Sequence, residues 1–163
     1  TALSMTARYV IETGRWDEMV PAENAGNSVL LVAGIAAAKK KDFATAEKIA
    51  ADLGKARETN EANGRSYEAK PIAIMEKEVR AVVAMEQGRQ EEALRLAKEA
   101  TEIEATLDPP SGPPEPMKPS FELYGELLLQ AGKGKEAAAQ FNETLLRMPN
   151  RAASLAGLAK TTD

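Results

Sequence analysis

Neither cysteine nor histidine occurs among the 163 residues. The first absence excludes disulfides, thiolate catalysis and cysteine-built zinc sites. The second removes the commonest metal ligand and general base. Neither fixes a compartment, and both the cytoplasm and export stay open. Aromatics make up only 4% of the chain and β-branched residues are sparse, which argues against a β-sheet core. No apolar run approaches the roughly 20 residues that span a bilayer. The longest, residues 29–38, is too short and contains Gly34. A net charge of −4 and a pI near 5.1 leave no surplus of Lys and Arg for non-specific nucleic-acid binding. The chain opens at Thr1 rather than Met, inside a helical pattern. It is read as a C-terminal fragment or processed form of a longer chain, with any targeting peptide outside it.

What is abundant is alanine, roughly thirty residues of it, in a chain that is 44% hydrophobic. Such a composition suits helices packed at short distance and predicts an all-α fold in one domain. Between residues 121 and 149 the side chains follow a fixed order. Phe121, Tyr124, Gly125 and Leu128 share one helical stripe, Gly132 sits at a turn, and Ala137, Phe141 and Pro149 follow. This spacing resembles the tetratricopeptide repeat, a helical hairpin of about 34 residues. Thr144 departs from it, standing where a small Ala is usual. The wider run 113–158 resembles the C-terminal part of bacterial tetratricopeptide-repeat proteins of unassigned activity, through residues 112–119, 122–129 and 149–151. The resemblance implies an α-solenoid of three to four hairpins whose grooves bind other molecules, and it brings no catalytic residue.

Weaker copies align on the same turn. Gly88 is followed by Ala93, Ala97 and Ala100, with Ala81 in the close-packing position. Lys41 is followed by Ala46, Ala50 and Leu53, with Gly34 in that position. Gly14 and Trp16 open a partial copy that stops at Pro21. The predicted helices are 2–13, 16–20, 25–39, 42–61, 68–87, 89–107, 119–131, 134–147 and 151–160. They group into divergent repeats at about 3–24, 27–60, 67–107 and 118–150, with a C-terminal capping helix at 151–160. Asp42, Ser120 and Asn150 are expected caps. Pro71 is expected in the first turns of its helix or to delay its start. No period-two pattern predicts a strand.

Four groups of residues are candidates for function. By offset from the repeat anchors, Ser28, Leu31, Ile35, Lys39, Glu78, Val82, Glu86, Glu122, Glu126 and Gln130 would line the concave groove, with exposed helix surface as the plainer alternative. The set lacks a Lys/Arg clamp for a peptide C-terminus. The proline-rich segment 108–119 holds Pro109, Pro110, Pro113, Pro114, Pro116 and Pro119. It is read as a stiff spacer that packs Met117 or a proline ring, in preference to a docking motif. The acidic pairs Glu91–Glu92, Glu99–Glu102 and Glu122–Glu126 are read as solvated helix face, because nothing local would perturb their pKa. Trp16 and Phe43 are expected to pack between hairpins, while Tyr9 and Tyr67 are less constrained.

These readings converge on a non-catalytic scaffold that binds a protein or peptide, with no cofactor, no metal, no nucleic acid and no membrane span. A structural, capping or dimerisation domain of a larger exported or enzymatic protein is the alternative, with a homodimer as its partner form. A hydrolase is disfavoured without His, Cys or a nucleophile elbow.

Overall fold

The computed structural model describes residues 1–19 and 24–162, and among these every regular element is helical. The eight α-helices are α1 (Ala2–Thr13), α2 (Asn27–Lys39), α3 (Phe43–Ala62), α4 (Ser66–Glu86), α5 (Gln90–Glu104), α6 (Ser120–Gln130), α7 (Gly134–Arg147) and α8 (Ala152–Ala159). Where a helix over 16–20 is predicted, a single 3-10 turn, Trp16–Glu18, is followed by extended Met19. The expected stop at Pro21 lies outside the described residues, as does Val20.

The hairpin turns are built alike. Lys41, Gly64, Gly88 and Gly132 take φ of 66°, 74°, 81° and 75°. Behind each, the next residue's N–H reaches back five residues along the turn: Asp42 to Ala37, Arg65 to Asn60, Arg89 to Ala84 and Lys133 to Leu128, at 2.8–2.9 Å. That pairing satisfies carbonyls which a helix end otherwise leaves open. Lys41 holds a conformation costing a side-chain-bearing residue about 1–2 kcal/mol. Its ammonium offsets part of that by meeting the Glu86 carbonyl at 3.2 Å and carboxylate at 2.5 Å.

Caps follow local chemistry. Asp42 accepts from the Thr45 N–H as expected. Ser120 does not cap α6, since Pro119 holds that position. Asn150 does not cap α8 either: it takes φ of 68° at the α7–α8 turn, and Arg151 precedes the helix. Helix α4 begins at Ser66 and runs through Pro71. The missing N–H leaves the Tyr67 carbonyl without its helical donor, at a residue 59% exposed, where water can reach it.

Each helix packs on the next in the chain, and the even-numbered helices also touch: α2 with α4, α4 with α6, α6 with α8. Helix α2 is buried from Leu31 through Ala38. Small residues set the approach. A Cβ on Gly34 would lie 2.8 Å from Val79 Cγ2 and 3.0 Å from Ile49 Cγ2, so α2 meets α3 and α4 with no room for a methyl. At the other end the fully buried Phe141 ring is wedged between α6 and α8. Its nearest atoms lie 2.8 Å from where a Gly125 Cβ would stand and 2.4 Å from that of Gly157. Burying that ring is worth about 1.5–3 kcal/mol. Ala46, Ala50, Ala93, Ala97, Ala100 and Ala137 are buried along the second helices of the hairpins. Trp16 and Phe43 pack partly buried on the core, while Tyr9 and Tyr67 stay exposed.

Candidate functional site

The connection from α5 to α6, residues 108–119, forms a strap across α2, α4 and α6. Its first half is largely exposed, and residues 116–119 are buried. Met117, at 4% exposure, joins the continuous apolar core with Leu31, Ile35, Val82 and Leu127. Upstream, Glu115 accepts from Ser28 Oγ at 3.0 Å, tying the strap to the start of α2. Downstream, the buried Lys118 ammonium meets Glu122 at 3.0 Å and Glu126 at 2.6 Å. The Ser120 N–H donates to Glu104 Oε1 at 3.1 Å, closing the strap against the end of α5.

Around Lys118 the helices assemble a buried ionic cluster. Glu122, fully buried, accepts from both Arg151 Nε and Nη2 at 3.1 Å and from Ser154 Oγ at 2.7 Å. The same guanidinium reaches Glu12 of α1 at 2.6 Å, joining the first helix to the last. Arg147 lies 4.0 Å from Glu104 and donates to the Leu107 carbonyl at 2.7 Å. Glu78, also fully buried, has no hydrogen-bond partner for either carboxyl oxygen, and Ser120 Oγ has none.

Protonation follows from these surroundings. Burial pushes the Glu78 carboxyl well above its ordinary value, and the nearby Glu104, Glu122 and Glu126 add to the push against Lys118. Glu104 is raised by burial, opposed by the Ser120 N–H and Arg147. Burial also works against charge on Glu122, but Lys118, Arg151 and Ser154 outweigh it and hold the carboxyl below its usual range. Burial likewise opposes charge on Lys118, and Glu126 and Glu122 override it and raise the ammonium's pKa. The cluster therefore favours charge on Lys118 and Glu122 and disfavours it on Glu78.

Of the ten residues expected to face a groove, Ser28, Glu122 and Glu126 bond the strap, and Glu78 lies within the field of Lys118. Leu31, Ile35, Glu78, Val82 and Glu122 are buried. Lys39 and Glu86 pair with each other at 3.4 Å across α2 and α4, half-buried, and Gln130 is exposed. Of the acidic pairs expected to be solvated and unperturbed, Glu122 is fully buried and Glu99 is held below its usual range by Lys77 and Arg95, because partners from other helices reach both. Lys118, Glu104, Arg147, Arg151, Ser154 and Glu12 went unnoticed as a group. Their pairing joins positions up to 139 apart in the chain, a separation no periodicity encodes.

Among the described residues no cluster of three or more acidic side chains is placed to hold a metal, and no helix is long and apolar enough to cross a membrane. A cleft of about 550 Å³ opens between α4 and α5, lined by Ala69, Ala73, Lys77, Glu99 and Ile103, and includes none of the ten groove residues. Compared with protein-family models, curated proteins and solved structures, the chain matches none.

Proposed function

We propose that the chain is a non-catalytic scaffold of tetratricopeptide-like solenoid architecture that binds a protein or peptide on the concave side of α2, α4 and α6. The contact of even-numbered helices with one another supports a stack of hairpins with those helices lining one side. The strap carries the reading. A bent, proline-rich segment meets α2 and α6, with an apolar side chain in the core and a cation on paired carboxylates. A surface that holds such a segment in cis has the groove chemistry that peptide recognition uses. Enzymatic chemistry is not proposed: the chain has no histidine or cysteine, and the carboxyls raised by burial, Glu78 and Glu104, are buried away from solvent.

The test is selection of peptides from an unbiased display library on the full chain, followed by amide-exchange mapping. Protection gathered on α2, α4 and α6, near Ser28, Lys39, Glu126 and Gln130, supports the reading. Ligands that protect the outer α3, α5 and α7 refute it.

A capping or dimerisation domain is the second reading, favoured by the exposed Leu146 and Leu155, at 76% and 48%, near the C-terminus. It expects self-association that Leu155→Glu abolishes.

A further inference from the structure

We propose that the strap is a built-in competitor, and that its seat accepts in trans a peptide with a proline–apolar–cation run such as Pro-Met-Lys. This rests on the concave-side reading above and names its ligand class. The strap is held over a short length: residues 116–119 are buried, whereas 111–113 and 115 are exposed. Its two specific anchors are the Met117 side chain in the apolar core and the Lys118 ammonium on Glu122 and Glu126.

The seat carries more acid than the strap uses. Glu122 and Glu126 of α6 meet Lys118, while Glu78 of α4 lies within the field of that lysine, of both α6 carboxyls and of Glu104 at the end of α5. Arg151 is committed to Glu122 and Glu12, and Arg147 to Glu104 and the Leu107 carbonyl. Both oxygens of the fully buried Glu78 still have no donor. A lysine offers three donors from one point, whereas a guanidinium offers five in a planar fork. An incoming peptide with arginine at the Lys118 position can serve Glu122 and Glu126 and reach Glu78 too. Charge complementarity selects a cationic ligand and rejects an acidic one.

Because the strap is tethered, it competes at an effective concentration in the millimolar range. Trans binding to the native chain is therefore weak and rises when the strap loses its cation. The experiment is fluorescence anisotropy with a labelled peptide of residues 113–120, titrated with the full chain and with Lys118→Met, which keeps the apolar stem. The variant is expected to bind at least about tenfold tighter than the native chain. Alanine at the peptide's lysine position removes that gain, and arginine there increases it. If Lys118→Met loses helical signal, a protease site inserted between Ser111 and Gly112 and cut in the folded protein frees the strap instead, with the same expectations. Equal binding of the lysine and alanine peptides, or no binding at about 1 mM, overturns the proposal. Library-selected ligands that protect α2, α4 and α6 but lack a cation also overturn it, while leaving the concave-side reading intact. Ligands on the outer helices overturn both.

Discussion

Replacing Glu78 with methionine is expected to stabilise the protein, an unusual sign for a fully buried position. The side chain projects from α4 between buried Met75, Val79 and Val82, with Glu104, Lys118, Glu122 and Glu126 around it. Neither carboxyl oxygen finds a donor. A polar group buried without partners costs about 1–3 kcal/mol. Methionine has similar length, no hydrogen-bonding demand and enough flexibility to fill the same space. Glu78→Met should therefore raise the free energy of unfolding by about 1–3 kcal/mol at pH 7.

A second signature separates this from simple repacking. The Glu78 carboxyl titrates well above its unfolded value, so between those two points the folded chain keeps a proton that the unfolded chain has released. Stability then falls as pH rises, by at most about 1.4 kcal/mol per pH unit, beginning near the unfolded glutamate value and levelling off above the folded one. Below the unfolded value that loss is absent. Urea unfolding at pH steps from 4 upward reads the slope, and Glu78→Met and Glu78→Gln should both flatten it. Only methionine should also raise stability below the unfolded glutamate value, where the linkage loss is absent, because glutamine remains polar. Glu104 adds a slope of the same sign in all three proteins, so the comparison rests on differences. A methionine variant less stable than the native chain at pH 7, or one with an unchanged slope, refutes the reasoning.

Two further substitutions probe the packing. Gly157→Ala gains about 1 kcal/mol of helix propensity but drives a methyl into Phe141, which Gly125 already crowds; overpacking of about 1–3 kcal/mol should win. Thermal unfolding should show the loss and Phe141→Leu should reduce it in a double-mutant cycle, whereas an alanine variant as stable as the native chain would break the clamp. Arg151→Lys keeps the charge but loses the fork that grips Glu122 and reaches Glu12, at about 1–3 kcal/mol. Amide exchange in α8 should accelerate before that in α4, and unchanged exchange there would remove the fork from the account.

The sequence made the hairpins legible because each is written locally. Turns anchored on Lys41, Gly88 and Gly132 do adopt left-handed backbone, and the alanines after them are buried. Gly34 and Gly125 sit where a methyl would collide, as close-packing positions should. Ser28, Glu122 and Glu126, reached by offset from those anchors, all meet one segment, residues 115–118. What that segment does to them was not legible. Ser28 meets Glu115 across 87 residues, and Glu12 meets Arg151 across 139; such pairs depend on the tertiary path alone. A glutamate such as Glu78 in a helical stripe reads as solvated, and its full burial and the charges acting on it come from residues distant in the chain.

The shortage of large side chains explains why a cover is needed. Alanine and glycine let neighbouring helices close tightly, as at Gly34, but they reach too little to fill the side that α2, α4 and α6 share. An aromatic-poor chain must bring in filling from elsewhere in its sequence, and here Met117 and the buried prolines supply it. Acid on that side is compensated by Lys118 of the same segment, together with Arg151. Packing and charge thus depend on one short strap, which is why a change at Lys118 should register in peptide binding and one at Glu78 in the pH dependence of stability.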